Sequence, residues 1–298
     1  MFHPYAYPIA LVIISLGVAL AEFLWPWRPQ QRQLRRTLWS DLMHLVFNGH
    51  FLGVIVYGIA VYRVLPHVDA LLEAWGLSSW VYRNAASGWP VWLQIVVLLF
   101  GLDFIQWGVH RLLHQVPWLW QFHKTHHSVV DGEMDWIVSF RFQWTEVVVY
   151  KAIQYLPLAF FGFGYEAVMF HAMFGTLIGH LNHSNLDLGR WWWWRYILNS
   201  PRMHIWHHDR HPEDGRTVNF GIVFSIWDWV FGTAKIPEGQ PEAIGFDGVE
   251  AFPNDFLGHT SWPIRSALPP GRRWADAVAA ALGLGLLALG WWAHLPPG

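Results

Sequence analysis

From residue 42 to residue 62 the chain carries no Asp, Glu, Lys or Arg. A helix needs about 20 mainly apolar residues to cross a bilayer. The pattern recurs along the chain. Residues 5–25 are apolar with Glu22 near their end. Residues 84–102 are uncharged, and the apolar pattern there starts at Pro90 and runs past Asp103 toward His110. Residues 152–165 and 167–186 are uncharged stretches split by Glu166 beside Gly162 and Gly164, which predicts a tight helical hairpin, spanning or re-entrant. Residues 277–298 hold no charge at all. Segment 5–25 lacks the basic start and small-residue cleavage site of a signal peptide and reads as a retained anchor. Charged residues make up only 13% of the 298, where a soluble domain carries about 25%. Too little charge is available to coat a soluble globule, so the expectation is an all-α integral membrane protein, a bundle of about four to six membrane helices.

Charge also limits the partners. Nineteen basic against 21 acidic residues leave a net charge of −2, so no global basic field points to nucleic acid. With no Cys, disulfides, thiolate metal sites and thiol nucleophiles are excluded. Between the first two apolar segments lie Arg28, Arg32, Arg35 and Arg36, and the positive-inside rule makes that loop cytoplasmic. Loop 66–89 is then outside, and 110–145 and 184–273 fall on the cytoplasmic side. The predicted organisation is one domain: N-terminal membrane spans over 1–89, a catalytic region over 90–237, then a surface segment and a C-terminal membrane helix over 238–298. The location is multi-pass, in a bacterial inner membrane or the endoplasmic reticulum, with the site on the cytoplasmic face.

Histidine demands a chemical explanation. Ten of the 18 His fall in four groups: His110 and His114; His123, His126 and His127; His180 and His183; His204, His207 and His208. At about 100° per residue, i and i+4 lie about 40° apart and an H-x-x-H-H triplet spans about 100° of a helix face. Such a face can give two imidazoles to one ion and a third to its neighbour. Neutral imidazole suits zinc, copper, iron and nickel. Ten rings exceed what one ion can take, so the pattern predicts two metal ions on a His-rich cap. His211 could extend the last group. His44, His50 and His171 sit within apolar stretches, and His3, His67, His259 and His294 read as surface or interface residues. Metal-bound His commonly donates its second ring N–H to a carboxylate or carbonyl; Asp103, Asp135, Asp187, Asp209 and Asp228 lie near enough in sequence to accept. The tetrad Trp191–Trp194 reads as an interfacial belt.

The runs HRLLH, WQFHKTHHS, HLNHSNLDLG, SPRMHIWHHD and NFGIVFSIWDWVFGT follow one another from Leu93 to Pro237. In order, spacing and closing signature the chain resembles the fatty acid hydroxylase/sterol desaturase superfamily of membrane di-iron oxygenases. The resemblance implies His110, His114, His123, His126, His127, His183, His204, His207 and His208 as metal ligands, with His180 a further candidate in the denser middle motif. It implies supporting roles for Asn219 and Asp228. One departure is Gln143, which stands where relatives often carry His in an R-x-H-P-x-E string, here Arg141 to Glu146.

The resemblance further implies two Fe ions, O2 as co-substrate, and hydroxylation or desaturation of a lipid from the bilayer (a sterol, fatty acyl or related lipid). No flavin or haem motif is present, so a separate reductase or carrier must bring the electrons. Two alternatives compete. A di-zinc membrane hydrolase would want bridging carboxylates, which are sparse among the His groups. A non-enzymatic metal or haem electron-transfer protein would place single axial His near mid-membrane, or line a path across it, rather than gather triplets on one face.

Overall fold

The computed structural model describes residues 5–263; the expected C-terminal membrane helix over 277–298 lies outside them. Among the described residues all regular structure is helical, with isolated bridges and no strand. Helix α1 spans Ala6–Leu24, α2 Leu38–Ala74, and α3 Val91–Gln115, and these three are long and apolar enough to cross a membrane. The hairpin that follows pairs α5, Trp144–Phe161, with α6, Tyr165–His183. Short helix α4, Pro117–His127, links α3 to this hairpin, and α7, Trp192–Ile197, follows it.

Helix α1 shows the pattern that separates a membrane bundle from a soluble one. Its inward residues are Leu11, Ser15, Val18 and Glu22, a 4-3-4 spacing that makes one helical face. That face carries the polar groups. The opposite face exposes Ile9, Val12, Ile13, Leu16, Leu20 and Phe23. Water would penalise so broad an apolar surface, whereas hydrocarbon accepts it. The bundle interior is apolar at the α3–α5–α6 junction, where Leu98, Leu102, Leu158 and Ala167 pack together. Between α2 and α5 it is filled by Leu52, Val56 and Val147.

Helix α2 outruns the span expected over 42–62. It continues through Arg63 and Pro66 to Ala74, with π-helical turns at Phe47–Phe51 and Ala60–Val64. A widened turn is one way to pass a Pro without a break, and His67 Nδ1 donates to the Arg63 carbonyl at 2.7 Å. At about 1.5 Å per residue its 37 residues reach about 55 Å, beyond a hydrocarbon core of about 30 Å. Its first turns therefore enter the cap, where buried Asp41 meets Arg141 and Arg35.

Two of the four loop arginines are engaged internally. Arg28 donates to the Met134 carbonyl and to Asn185 Oδ1, and Arg35 forms a buried pair with Asp135 at 2.6 Å. The loop after α1 is thus tied to the His-bearing cap, and only Arg32 and Arg36 remain exposed as charges. The hairpin turn needs Gly162: it closes α5 in the left-handed region at φ 68°, and a Cβ there would come within 2.7 Å of Asn84 Oδ1.

Candidate metal centre

Each His-bearing element is positioned by a local signal. Helix α3 ends at Gln115 because Val116, held extended before Pro117, cannot continue the helix (φ −99°, ψ 112°). Pro117 then starts α4, folding His123 and His127 back against His110 and His114. Helix α8, Pro201–His207, starts at Ser200, whose Oγ caps Met203 N, with Pro at the first position. Gln143 caps α5 by accepting from Thr145 N at 2.6 Å, and its amide donates to the Thr260 carbonyl at 3.4 Å. In place of the relatives' His it is a helix cap, and neither of these hydrogen bonds goes to an imidazole.

Nine of the ten expected His converge, in two groups. His110, His114, His123, His127 and His207 form the first, and His126, His183, His204 and His208 the second. Within each group one nitrogen per ring lies within 4.8 Å of all the others. All are buried except His114, which is half-buried. Both triplets divide between the groups. On α4 the i, i+4 pair His123 and His127 joins the first group and His126 the second. At α8 the pair His204 and His208 joins the second and His207 the first. Each triplet thus stitches the two groups together.

His180 departs from the expectation. Its Nδ1 lies 2.8 Å from Ser139 Oγ and its Nε2 3.0 Å from Ser15 Oγ. Both ring nitrogens are occupied by hydroxyls, so the ring holds α6 to α1 and to the Trp136–Phe140 turn and belongs to neither group. His259 is also corrected: it is fully buried, not a surface residue. Its Nε2 donates to the Pro253 carbonyl at 2.8 Å, and its Nδ1 accepts from His44 Nε2 at 3.0 Å. His211 stays at the surface, 4.0 Å from Asp247.

The proton positions set the chemistry. His110 Nδ1 donates to the Phe220 carbonyl at 2.8 Å, His207 Nδ1 to Val218 at 2.9 Å and His183 Nδ1 to Gly179 at 2.8 Å. His123 Nδ1 meets Glu146 Oε1 at 2.8 Å. A neutral imidazole with its proton on Nδ1 keeps a lone pair on Nε2. Yet His110 Nε2 faces His123 Nε2 at 3.2 Å, and in the second group His183 Nε2 lies 3.1 Å from His126 Nε2 and 2.9 Å from His204 Nε2. Where Glu146 accepts as a carboxylate, the first of these pairs sets lone pair against lone pair. Such contacts are repulsive unless a cation lies between them. Two nitrogens each about 2.1 Å from one ion at a right angle would stand about 3.0 Å apart. Burial, then the neighbouring rings, hold His126, His127, His204 and His208 well below the ordinary imidazole range, so they are neutral and ready to ligate. The residues fit a pair of imidazole-bound metal ions.

The supporting carboxylates differ from those expected. None of Asp103, Asp135, Asp187, Asp209 and Asp228 touches an imidazole in the two groups. Asp103 accepts from Val223 N, Phe224 N and Trp227 Nε1. Asp228 accepts from Phe220 N, Gly221 N and Trp107 Nε1. Asn219, left-handed at φ 58°, donates to the Met203 and Lys235 carbonyls. These residues fix the irregular backbone of 218–224, whose carbonyls at 218 and 220 orient His207 and His110. Asn219 and Asp228 thus act one step behind the rings. Glu146 is the one carboxylate in contact with a grouped imidazole among the described residues. Its signal was its place at the end of the Arg141–Glu146 string. Phe142, stacked on His126 with centroids 4.5 Å apart and planes within 4°, gave no signal beyond its apolarity.

Comparison with known proteins agrees. The fatty acid hydroxylase family model matches residues 95–233. The ornithine lipid hydroxylase OlsE of Rhizobium tropici is 29% identical over 250 residues, 83% of this chain and 72% of that protein. The alkylglycerol monooxygenases of Xenopus tropicalis and Homo sapiens are 31% and 32% identical, over 53% and 45% of this chain. The chain spans only 33% and 28% of those two relatives. No solved structure matches. On its motifs, its helical architecture and these similarities, the chain is similar to members of the fatty acid hydroxylase/sterol desaturase superfamily, the family model covering 95–233 of its 298 residues.

Proposed function

We propose that this chain is a membrane di-iron oxygenase that hydroxylates a lipid. The observation that carries the reading is the convergence of nine imidazoles in two adjoining groups, with the Nε2 atoms of His110 and His123 facing one another at 3.2 Å. His110, His114, His123, His127 and His207 would hold one iron, and His126, His183, His204 and His208 the other. Bound iron supplies the activation of O2. One oxygen atom enters a C–H bond and the other leaves as water, which takes two electrons and two protons from outside the chain. A separate reductase or carrier is the electron source.

The protein's own part is orientation and dryness. The carbonyls of Val218, Phe220 and Gly179 hold three rings with Nε2 turned inward. Glu146 does the same for His123. Phe142 and Trp120 pack against the rings and exclude water. Hydroxylation is favoured over desaturation because the relatives named above are hydroxylases and monooxygenases. The cap is assigned to the cytoplasmic side, on Arg32 and Arg36 and the contacts that tie their loop to it.

The test is metal and product analysis together. Protein made with ample iron should carry close to two iron atoms per chain. Membranes containing it should yield lipids one oxygen heavier than controls. Fully active protein with one metal per chain, or with zinc and no O2 consumption, would overturn the reading.

A further inference from the structure

Residues 191–198 and 222–231 hold only two charged side chains, Arg195 and Asp228. Arg195 lies 3.6 Å from the exposed Glu238, and Asp228 is fully buried on Phe220 N and Gly221 N. Two short helices form in these segments, α7 and, at Ile226–Val230, α9. Trp192, Trp193, Tyr196 and Ile197 share one face of α7, and Ile226, Trp229 and Val230 share one face of α9. All seven are exposed, Trp192 at 75% and Val230 at 67%.

The two faces make one surface. The rings of Tyr196 and Trp229 lie 4.6 Å apart, Trp229 Nε1 donates to the Arg195 carbonyl at 2.8 Å, and Ser225 N donates to the Ile197 carbonyl at 3.1 Å. That surface runs on to α3. Exposed Phe231, which follows α9, stacks on Trp107 at 4.6 Å and on Phe104 at 6.0 Å, and Phe104 meets Trp227 at 4.9 Å. Phe104 and Ile105 are exposed apolar residues of a helix long and apolar enough to cross a membrane. Arg111, one turn past Trp107, stands 5.5 Å from the Trp107 ring centre, so charge returns on α3 one turn beyond the residue that Phe231 covers.

Water penalises so broad an apolar surface, and patches of this kind mark protein or membrane contacts. Three observations choose the membrane. The patch is continuous with the apolar side of α3. Its Trp and Tyr are the residues of a bilayer boundary, and its apolar helix faces are those of segments that lie in one. The indole N–H of Trp229 and the backbone between Ile197 and Ser225 are hydrogen-bonded within the protein, as hydrocarbon requires of its neighbours.

We infer that α7, α9 and Phe231 lie in the bilayer, so that the cap is sunk into lipid along its α3 flank and does not stand clear of the membrane. Asp228, on the inner side of α9, holds Phe220 N while the Phe220 carbonyl orients His110. The lipid-facing helix and the frame of the first His group are therefore one element. The inference rests on α3 crossing the bilayer and not on the oxygenase chemistry, and its test needs no turnover.

The chain has no Cys, so a single introduced thiol carries a nitroxide label cleanly. Val230→Cys, Ile105→Cys and Asp247→Cys are labelled in the full chain, reconstituted in vesicles of phosphatidylcholine and phosphatidylglycerol. Power saturation then compares collision with O2, which concentrates in hydrocarbon, and with a neutral water-soluble nickel chelate. The label at 230 should favour O2 over nickel as the label at 105 does, severalfold above the label at 247. A nickel preference at 230 like that at 247 overturns the inference. So does a label at 230 shielded from both reagents, which would mean that protein covers the face. The unaltered chain gives a check free of any folding defect. Photolysis with a phosphatidylcholine carrying a diazirine high on one acyl chain should leave adducts within 226–231 as well as within 100–105. Adducts on α3 alone overturn the inference. Lipid contact at 226–231 in a chain that oxidises no lipid with iron bound would keep this surface and lose the functional reading.

Discussion

The two histidine groups are held in different ways. In the first, three of five rings are aimed by hydrogen bonds at Nδ1: His110 to Phe220, His207 to Val218 and His123 to Glu146. In the second, only His183 is aimed so, by Gly179. The Nδ1 atoms of His126, His204 and His208 are buried with no protein partner, and His126 is fixed by stacking on Phe142. The first group is oriented from outside by a polar frame. The second is oriented by packing and by its covalent link to the first, since both triplets contribute to both. A metal in the second group depends on the first being in place more than the reverse.

The largest effect separates the groups directly. His110→Ala with His114→Ala, and His204→Ala with His208→Ala, should each lower activity by at least about a hundredfold, a bound taken from the cost of losing supporting contacts. Iron should fall from near two toward one per chain in both. The asymmetry predicts a further loss from the remaining group only in the first variant. Equal retention of one iron in both would break the comparison.

Glu146→Gln acts on the first group alone and should cost about ten- to a hundredfold in metal affinity or turnover. Phe142→Leu should weaken metal binding in the second. Site-resolved metal titration decides: a Glu146→Gln protein that loses metal from the second group first would reverse the assignment. Asp228→Ala should follow, because it frees the backbone at 220 and leaves several buried donors unpaired, each worth about 1–3 kcal/mol. Thermal unfolding of the metal-free protein should drop, and first-group metal affinity with it.

His259, outside both groups, gives a smaller, pH-dependent effect. Burial pushes it down to about 4 from an ordinary 6.5. Between those values the unfolded chain binds the proton and the folded one does not, so unfolding free energy rises with pH. The penalty is absent above about 6.5 and complete below about 4. Metal-free wild type should therefore lose roughly 3 kcal/mol from this residue as pH falls through that window. His259→Gln should flatten the slope in denaturant titrations. The smallest effect on metal is expected of His180→Ala, which should leave iron unchanged near two while lowering stability by about 1–3 kcal/mol. Loss of an iron from that variant would restore His180 to the site.

The comparison also marks where a sequence stops being informative. Uncharged runs of span length declare the solvent of the fold, because a bilayer imposes length and apolarity on each helix separately. The triplet spacing declares a shared face, because angle along one helix depends on that helix alone. Accordingly α1, the core of α2, α3, the hairpin at Gly162 and the nine converging His were legible residue by residue. Which triplet member joins which group was not, since it depends on how α4 and α8 approach α3 and α6. The same holds for His180, claimed by Ser15 and Ser139 from elements distant in sequence. It holds for His259, drawn inward by His44, and for Glu146, chosen over five other carboxylates by the path of α5. Arg28 and Arg35 read as loop charges until the fold brought Asn185, Met134 and Asp135 to them. Periodicity and composition are properties of one segment, and the sequence determined what they govern. Partnership between segments is set by packing, and only the tertiary structure decided it.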